Sequence, residues 1–178
     1  MTKNKRLIYI ALLAAQAVVI SLLERAIPFP FAFAPGAKLG LANIITCISL
    51  YTLRTKDTLM IICIRLVLAT LLGGSLSTFL YSAAGAILSF LGMWLVQKLG
   101  PKRVSIIGVS TAGGILHNVG QLMVASFIAG SWNVMLYLPA LSFIGILSGI
   151  AIGIAANYLL QNVQTLRNFF EAKQALNK

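Results

Sequence analysis

One apolar stretch concentrates the side chains able to do chemistry: Ser110, Thr111, Gly113, Gly114, His117, Asn118 and Gln121. His117 and Gln121 are four apart, and Asn118 and Gln121 three apart, a spacing that projects all three into one sector of a helix. An imidazole and two amides supply hydrogen bonds, and in hydrocarbon each of them needs a partner. Asn43, on another apolar run, is a candidate partner. The group reads as the hydrogen-bonding wall of a ligand cavity or as an interhelical polar clamp. Three clustered groups beside Gly113 and Gly114 favour the wall.

Arg65 is the second informative residue. It lies inside the run Ile61 to Leu68, seven residues past the start of its expected span at Thr58, which is about 10 Å of depth at a helical rise of about 1.5 Å per residue. An arginine there costs at least ~2.5 kcal/mol unless it faces a partner or water, so a binding role is the first reading. A structural ion pair with Glu24, or snorkelling to the headgroups, is the second. Glu24 and Arg25 close the first apolar run, and Glu24 is one of three acids in the chain with Asp57 and Glu171. Glu24 is expected to pair with Arg25, Lys38 or Arg65, since a charge near hydrocarbon needs a partner. Lys38 either reaches into the cavity or snorkels outward.

Much chemistry is excluded. There is no Walker-type phosphate loop, no HExxH, no paired cysteines and no pair of neighbouring acids. Magnesium-dependent diphosphate chemistry needs clustered carboxylates, which three scattered acids do not provide. A metal site and catalysis by this chain are therefore not expected. Cys47 and Cys63 fall inside apolar runs and read as buried structural thiols.

The elements that position these residues follow from composition. Of 178 residues, 59% are hydrophobic and 10% charged, with a mean hydropathy of +0.93. Soluble domains carry about 25% charged residues, so the chain is expected to be an all-α, polytopic membrane protein with a single domain over 1–178. Six spans are predicted at about 7–23, 39–53, 58–72, 76–99, 104–129 and 135–160, separated by charged, Gly-rich or Pro-containing turns. Lys3, Lys5, Arg6, Arg54, Lys56, Lys98, Lys102, Arg103, Arg167, Lys173 and Lys178 fall on the side of the N-terminus, and Arg25 and Lys38 on the other. Eleven against two predicts both termini in the cytoplasm, in a multi-pass protein of the cell membrane. The net charge of +11 is thus topological and implies no nucleic acid.

Between the first two spans, residues 24–38 carry Pro28, Phe29, Pro30, Phe31 and Pro35, together with Glu24, Arg25 and Lys38. Proline removes backbone donors and disfavours helix before it, so this stretch is expected to form a stiff outer lid over the cavity. Ala11 and Ala15 lie four apart on the first span, either as a docking face for a partner or as ordinary helix packing. The tail 161–178 reads equally as an amphipathic segment on the inner leaflet or as a solvated helix extension.

Two motifs, Pro35-Gly36-Ala37-Lys38-Leu39-Gly40-Leu41-Ala42-Asn43 and His117-Asn118-Val119-Gly120-Gln121-Leu122, resemble the bacterial Gx transporter family, also named heptaprenyl diphosphate synthase component I. Six short helices with an alanine pair and a lid are similar to the substrate-binding S component of energy-coupling factor transporters. The resemblance implies an S-component bundle that binds a small solute in its outer half through Lys38, Asn43, Arg65, His117, Asn118 and Gln121. It implies that Ala11 and Ala15 face a coupling membrane protein. A partner ATPase pair would spend ATP, with no cofactor in this chain. The cations suggest an anionic or amphipathic solute. The second family name implies an alternative, a non-catalytic membrane accessory subunit linked to heptaprenyl diphosphate and quinone synthesis, although the aspartate-rich motifs of prenyl synthases are missing.

Overall fold

The structure is a computed structural model that describes residues 3–26 and 38–176. Pro28, Phe29, Pro30, Phe31 and Pro35 lie outside the described residues, as does Lys178. The described residues form helices α1 (Lys3–Ala26), α2 (Asn43–Thr52), α3 (Thr55–Leu71), α4 (Leu76–Gln97), α5 (Ile106–Ala129), α6 (Leu138–Asn162) and α7 (Gln164–Leu176), with a 3-10 turn at Trp132–Tyr137 before α6.

The first six helices alternate in direction. Arg6 at the start of α1 pairs with Asp57 in the first turn of α3, and Arg25 at the end of α1 donates to the Ala69 carbonyl near the end of α3 at 2.7 Å. These two helices therefore run parallel. α2 opposes α1, since Glu24 meets the backbone just before α2 and the Tyr9 hydroxyl bonds the Thr52 hydroxyl at 3.0 Å. α5 runs between α4 and α6 with its backbone close to both. A Cβ on Gly149 of α6 would stand 2.6 Å from the Thr111 Cα, and one on Gly153 2.6 Å from the Ile107 Cα. Small residues four apart let these backbones meet where lipid supplies no hydrophobic drive.

The bundle is apolar outside and carries buried polar residues within an apolar core. Leu12, Val19, Leu71, Ile87, Phe127 and Ile154 are exposed, while Asn43, Ser49, Ser89, Ser110, His117 and Gln121 are buried. Asn4–Ala26, Leu76–Gln97, Ile106–Ala129 and Trp132–Asn162 are long and apolar enough to cross a membrane. Two of the six expected spans differ. α2 has 10 residues instead of the predicted 39–53, about 15 Å or half of the hydrocarbon thickness. A left-handed turn at Gly40 (φ +82°) precedes it and extended Leu53 closes it. α3 has 17 residues and carries Lys56, Asp57 and Arg65. Cys63 is exposed, contrary to the expected burial, because it falls on the outward face of α3; Cys47 is buried.

The tail is a helical extension, exposed over much of its surface. α7 packs beneath the bundle: Phe169 meets Tyr9 at 4.5 Å between ring centroids, Phe170 meets Tyr51 edge-on at 5.9 Å, and Lys173 donates to the carbonyls of Leu50 and Leu53. A cation thus caps the C-terminus of α2, where the helix dipole favours it. Burial lowers Lys173 to about 8, with Asp57 opposing the shift.

Candidate functional site

At the end of the bundle holding Arg25 and Lys38, α1, α3, α4 and α5 enclose a polar cavity. Glu24, Arg25, Lys38, Arg65 and His117 line it, with small polar residues between them. Its volume of about 20 Å³ takes a single water.

Glu24 is 4% exposed and lies at the end of α1. Its carboxylate accepts from the amides of Gly40 and Leu41, the latter at 3.0 Å, instead of pairing with a cation as expected. Ion pairs among the described residues are Arg6 with Asp57 and Arg167 with Glu171. The preference has a local cause. The left-handed Gly40 turns its amide and the next one towards α1, ahead of the uncapped start of α2, and two amides converging on one oxygen make a charge-assisted cap.

With Glu24 so engaged, Arg65 stands 5% exposed, and its Nε has no hydrogen-bond partner among the described residues. Neither the Glu24 ion pair nor snorkelling describes it. Three cations, Arg25, Lys38 and Arg65, line the cavity against one carboxylate. The cavity is therefore electropositive.

His117 lines the cavity from α5, and Gln121 supports it from behind. The backbone amide of Lys38 donates to Gln121 Oε1 at 3.3 Å, which leaves Gln121 Nε2 to donate to His117 Nε2 at 2.9 Å. An acceptor Nε2 fixes the imidazole as the neutral tautomer with its proton on Nδ1, the nitrogen facing Gly85. The ring is held between two glycines. A Cβ on Gly40 would lie 2.9 Å from His117 Cδ2, and one on Gly85 2.7 Å from Cε1. Asn43 sits behind Gly40, 2% exposed, with its side-chain oxygen and nitrogen both unpartnered among the described residues.

Asn118 differs from its neighbours. Its amide donates to the Leu141 carbonyl on α6 at 2.7 Å, so it clamps α5 to α6 and does not reach the cavity. One residue is about 100° of helix, enough to turn it from the sector of His117. Ala11 and Ala15 are exposed on the outer face of α1, away from the bundle interior. Ser21, Thr70, Thr78 and Ser82 also line the cavity. No spacing in the sequence marks them, since single Ser and Thr residues are ordinary in apolar helices.

Residues 13–159 match the sequence profile of a family described as heptaprenyl diphosphate synthase component I. The chain belongs to that family. The match runs from α1 into α6 and contains every residue of the cavity, leaving α7 outside it. Comparison with curated proteins and with solved structures gives no significant match. The family description names a component of a synthase. Among the described residues, no group of three or more His, Cys, Asp or Glu side chains is placed to hold a metal ion.

Proposed function

We propose that this member of the heptaprenyl diphosphate synthase component I family is a non-catalytic membrane subunit that captures a small anionic solute from outside and passes it inward with partner proteins. The reading rests on Arg65, a buried guanidinium whose Nε is unpartnered among the described residues, beside Lys38 and Arg25, while the nearby carboxylate is committed to backbone amides. A buried cation seeks a counter-charge, and an incoming carboxylate or phosphate would satisfy it. His117 and Gln121 would orient the solute through hydrogen bonds, with Asn43 behind them. A cavity of about 20 Å³ must widen to admit a solute.

Six crossings with both termini in the cytoplasm are part of this reading, supported by the alternating helices and by the basic end at which α1 starts and α6 finishes. The exposed Ala11 and Ala15 support docking of a coupling membrane protein, through which an ATPase pair would supply energy as in energy-coupling factor transporters. The family description favours a second reading, an accessory subunit for a prenyl diphosphate synthase.

Mass spectrometry of the protein gently extracted from its own membrane tests both. Recovery of two ATPases and a coupling protein, lost in the Ala11→Leu, Ala15→Leu variant, is expected. A soluble prenyl synthase recovered in their place would replace the first reading by the second.

A further inference from the structure

At the opposite, basic end of the bundle a larger cavity of about 610 Å³ opens between the ends of α2, α4 and α6, the start of α5, and α7. Its volume falls within the roughly 300–1,000 Å³ of small-molecule sites. One side is apolar, with Tyr51, Trp94, Val104, Ile106 and Phe170. Lys98 lies 3.5 Å above the Trp94 ring, and Lys173 projects from α7. α5 begins in the wall at Ser105 and Ile106, with Ser105 capping the Gly108 amide, so the positive end of a helix dipole adds to the two lysines. No acid lines the cavity: Asp57 is bound by Arg6, Glu171 by Arg167, and Glu24 caps α2 at the other end.

We infer that this cavity is a second binding site, for a phosphorylated amphiphile whose head lies between Lys98 and the start of α5, beside the α2 cap Lys173, and whose chain lies along Tyr51, Trp94 and Phe170. The two demands coincide. An inorganic anion would leave the aromatic wall unused, and a neutral apolar chain would leave Lys98 and the positive start of α5 without a counter-charge, Lys173 being engaged by the Leu50 and Leu53 carbonyls. The site stands apart from the solute cavity and does not depend on the transport reading. Its head group comes either from a bilayer phospholipid or from a freely diffusing prenyl-type diphosphate.

The chain contains two tryptophans, so Trp132→Phe leaves Trp94 as the sole reporter. This protein in phosphatidylcholine nanodiscs is titrated with farnesyl diphosphate and with inorganic diphosphate, and is compared with nanodiscs containing phosphatidate. Ligand retention is read in parallel by native mass spectrometry, because Lys98 also touches the reporter. A saturable Trp94 response with retained ligand is expected, weakened about tenfold or more by Lys98→Gln and unchanged by Arg65→Gln. A response to farnesyl diphosphate assigns the head group to a diffusing diphosphate, and one to phosphatidate assigns it to the bilayer. The inference is overturned by no saturable response in either arm, by inorganic diphosphate performing as well as farnesyl diphosphate, or by binding indifferent to Lys98→Gln.

Discussion

Arg65 and Glu24 carry like costs and opposite solutions. Both are buried, but Glu24 has two backbone amides, whereas the Arg65 Nε has no partner among the described residues. Desolvating a buried ion that makes no salt bridge among the described residues costs several kcal/mol, so Arg65→Met is expected to leave the melting temperature in detergent unchanged or higher while abolishing retention of an anionic solute. A marked fall in melting temperature would make Arg65 structural and remove the main support for the binding role. Glu24→Ala should behave in the opposite way, losing about 1–3 kcal/mol of stability as two amides ahead of α2 lose their acceptor; scanning fluorimetry in the same detergent compares the two. Arg65 and His117 were legible in the sequence because a charge or an imidazole in an apolar run is conspicuous on cost alone. The partner of Glu24 was not, because it depends on the left-handed turn at Gly40, and Asn118 was misplaced because spacing alone does not tell which helix a sector faces.

The helices divide into those fixed by backbone contact and those held by side chains. α6 meets α5 through Gly149 and Gly153, where an added methyl would meet the Cα atoms of Thr111 and Ile107. Gly149→Ala is therefore expected to cost about 1–3 kcal/mol from overpacking, against little for the exposed neighbour Ile150→Ala, as judged by resistance to thermal aggregation. Equal effects would deny the close approach. This ladder was open to sequence reading, since Gly145, Gly149 and Gly153 recur every four residues on one helix. The short α2 and the docking of α7 were less accessible, because both depend on tertiary partners. α7 is held by Phe169, Phe170 and Lys173, and the lysine makes its docking sensitive to pH. Docked Lys173 gives up its proton near 8, while a free lysine keeps it to about 10.5. Between those values the undocked form binds more protons, so raising pH favours docking. Hydrogen exchange in α7, corrected for intrinsic rates, is expected to slow as pH rises from about 8 towards 10.5, and Lys173→Met should remove that trend.

At the scale of the molecule, two unlike ends explain more than any single helix. The starts of α1, α3 and α5 share one end with the close of α2, α4 and α6, and this end gathers Lys5, Arg6, Arg54, Lys56, Lys98, Lys102 and Arg103; Arg25 and Lys38 lie at the other, around the small polar cavity. Charge asymmetry was readable along the chain because turns are short and each reverses direction, so the parity of the turns sorts the cations even though α2 is only 10 residues long. A half-length helix keeps that parity when its ends are capped by residues from outside it, Glu24 at one end and Lys173 at the other. On the proposed orientation, the positive-inside bias predicts the α4–α5 turn in the cytoplasm and the α5–α6 turn outside. An impermeant maleimide applied to intact cells should label Asn133→Cys and spare Lys102→Cys until the membrane is opened, in a background with Cys63→Ser, Cys47 being fully buried. The reverse pattern would put the electropositive cavity on the cytoplasmic side, where it could not receive a solute from outside, and uptake as proposed would fail while the buried chemistry of Arg65 remained to be explained.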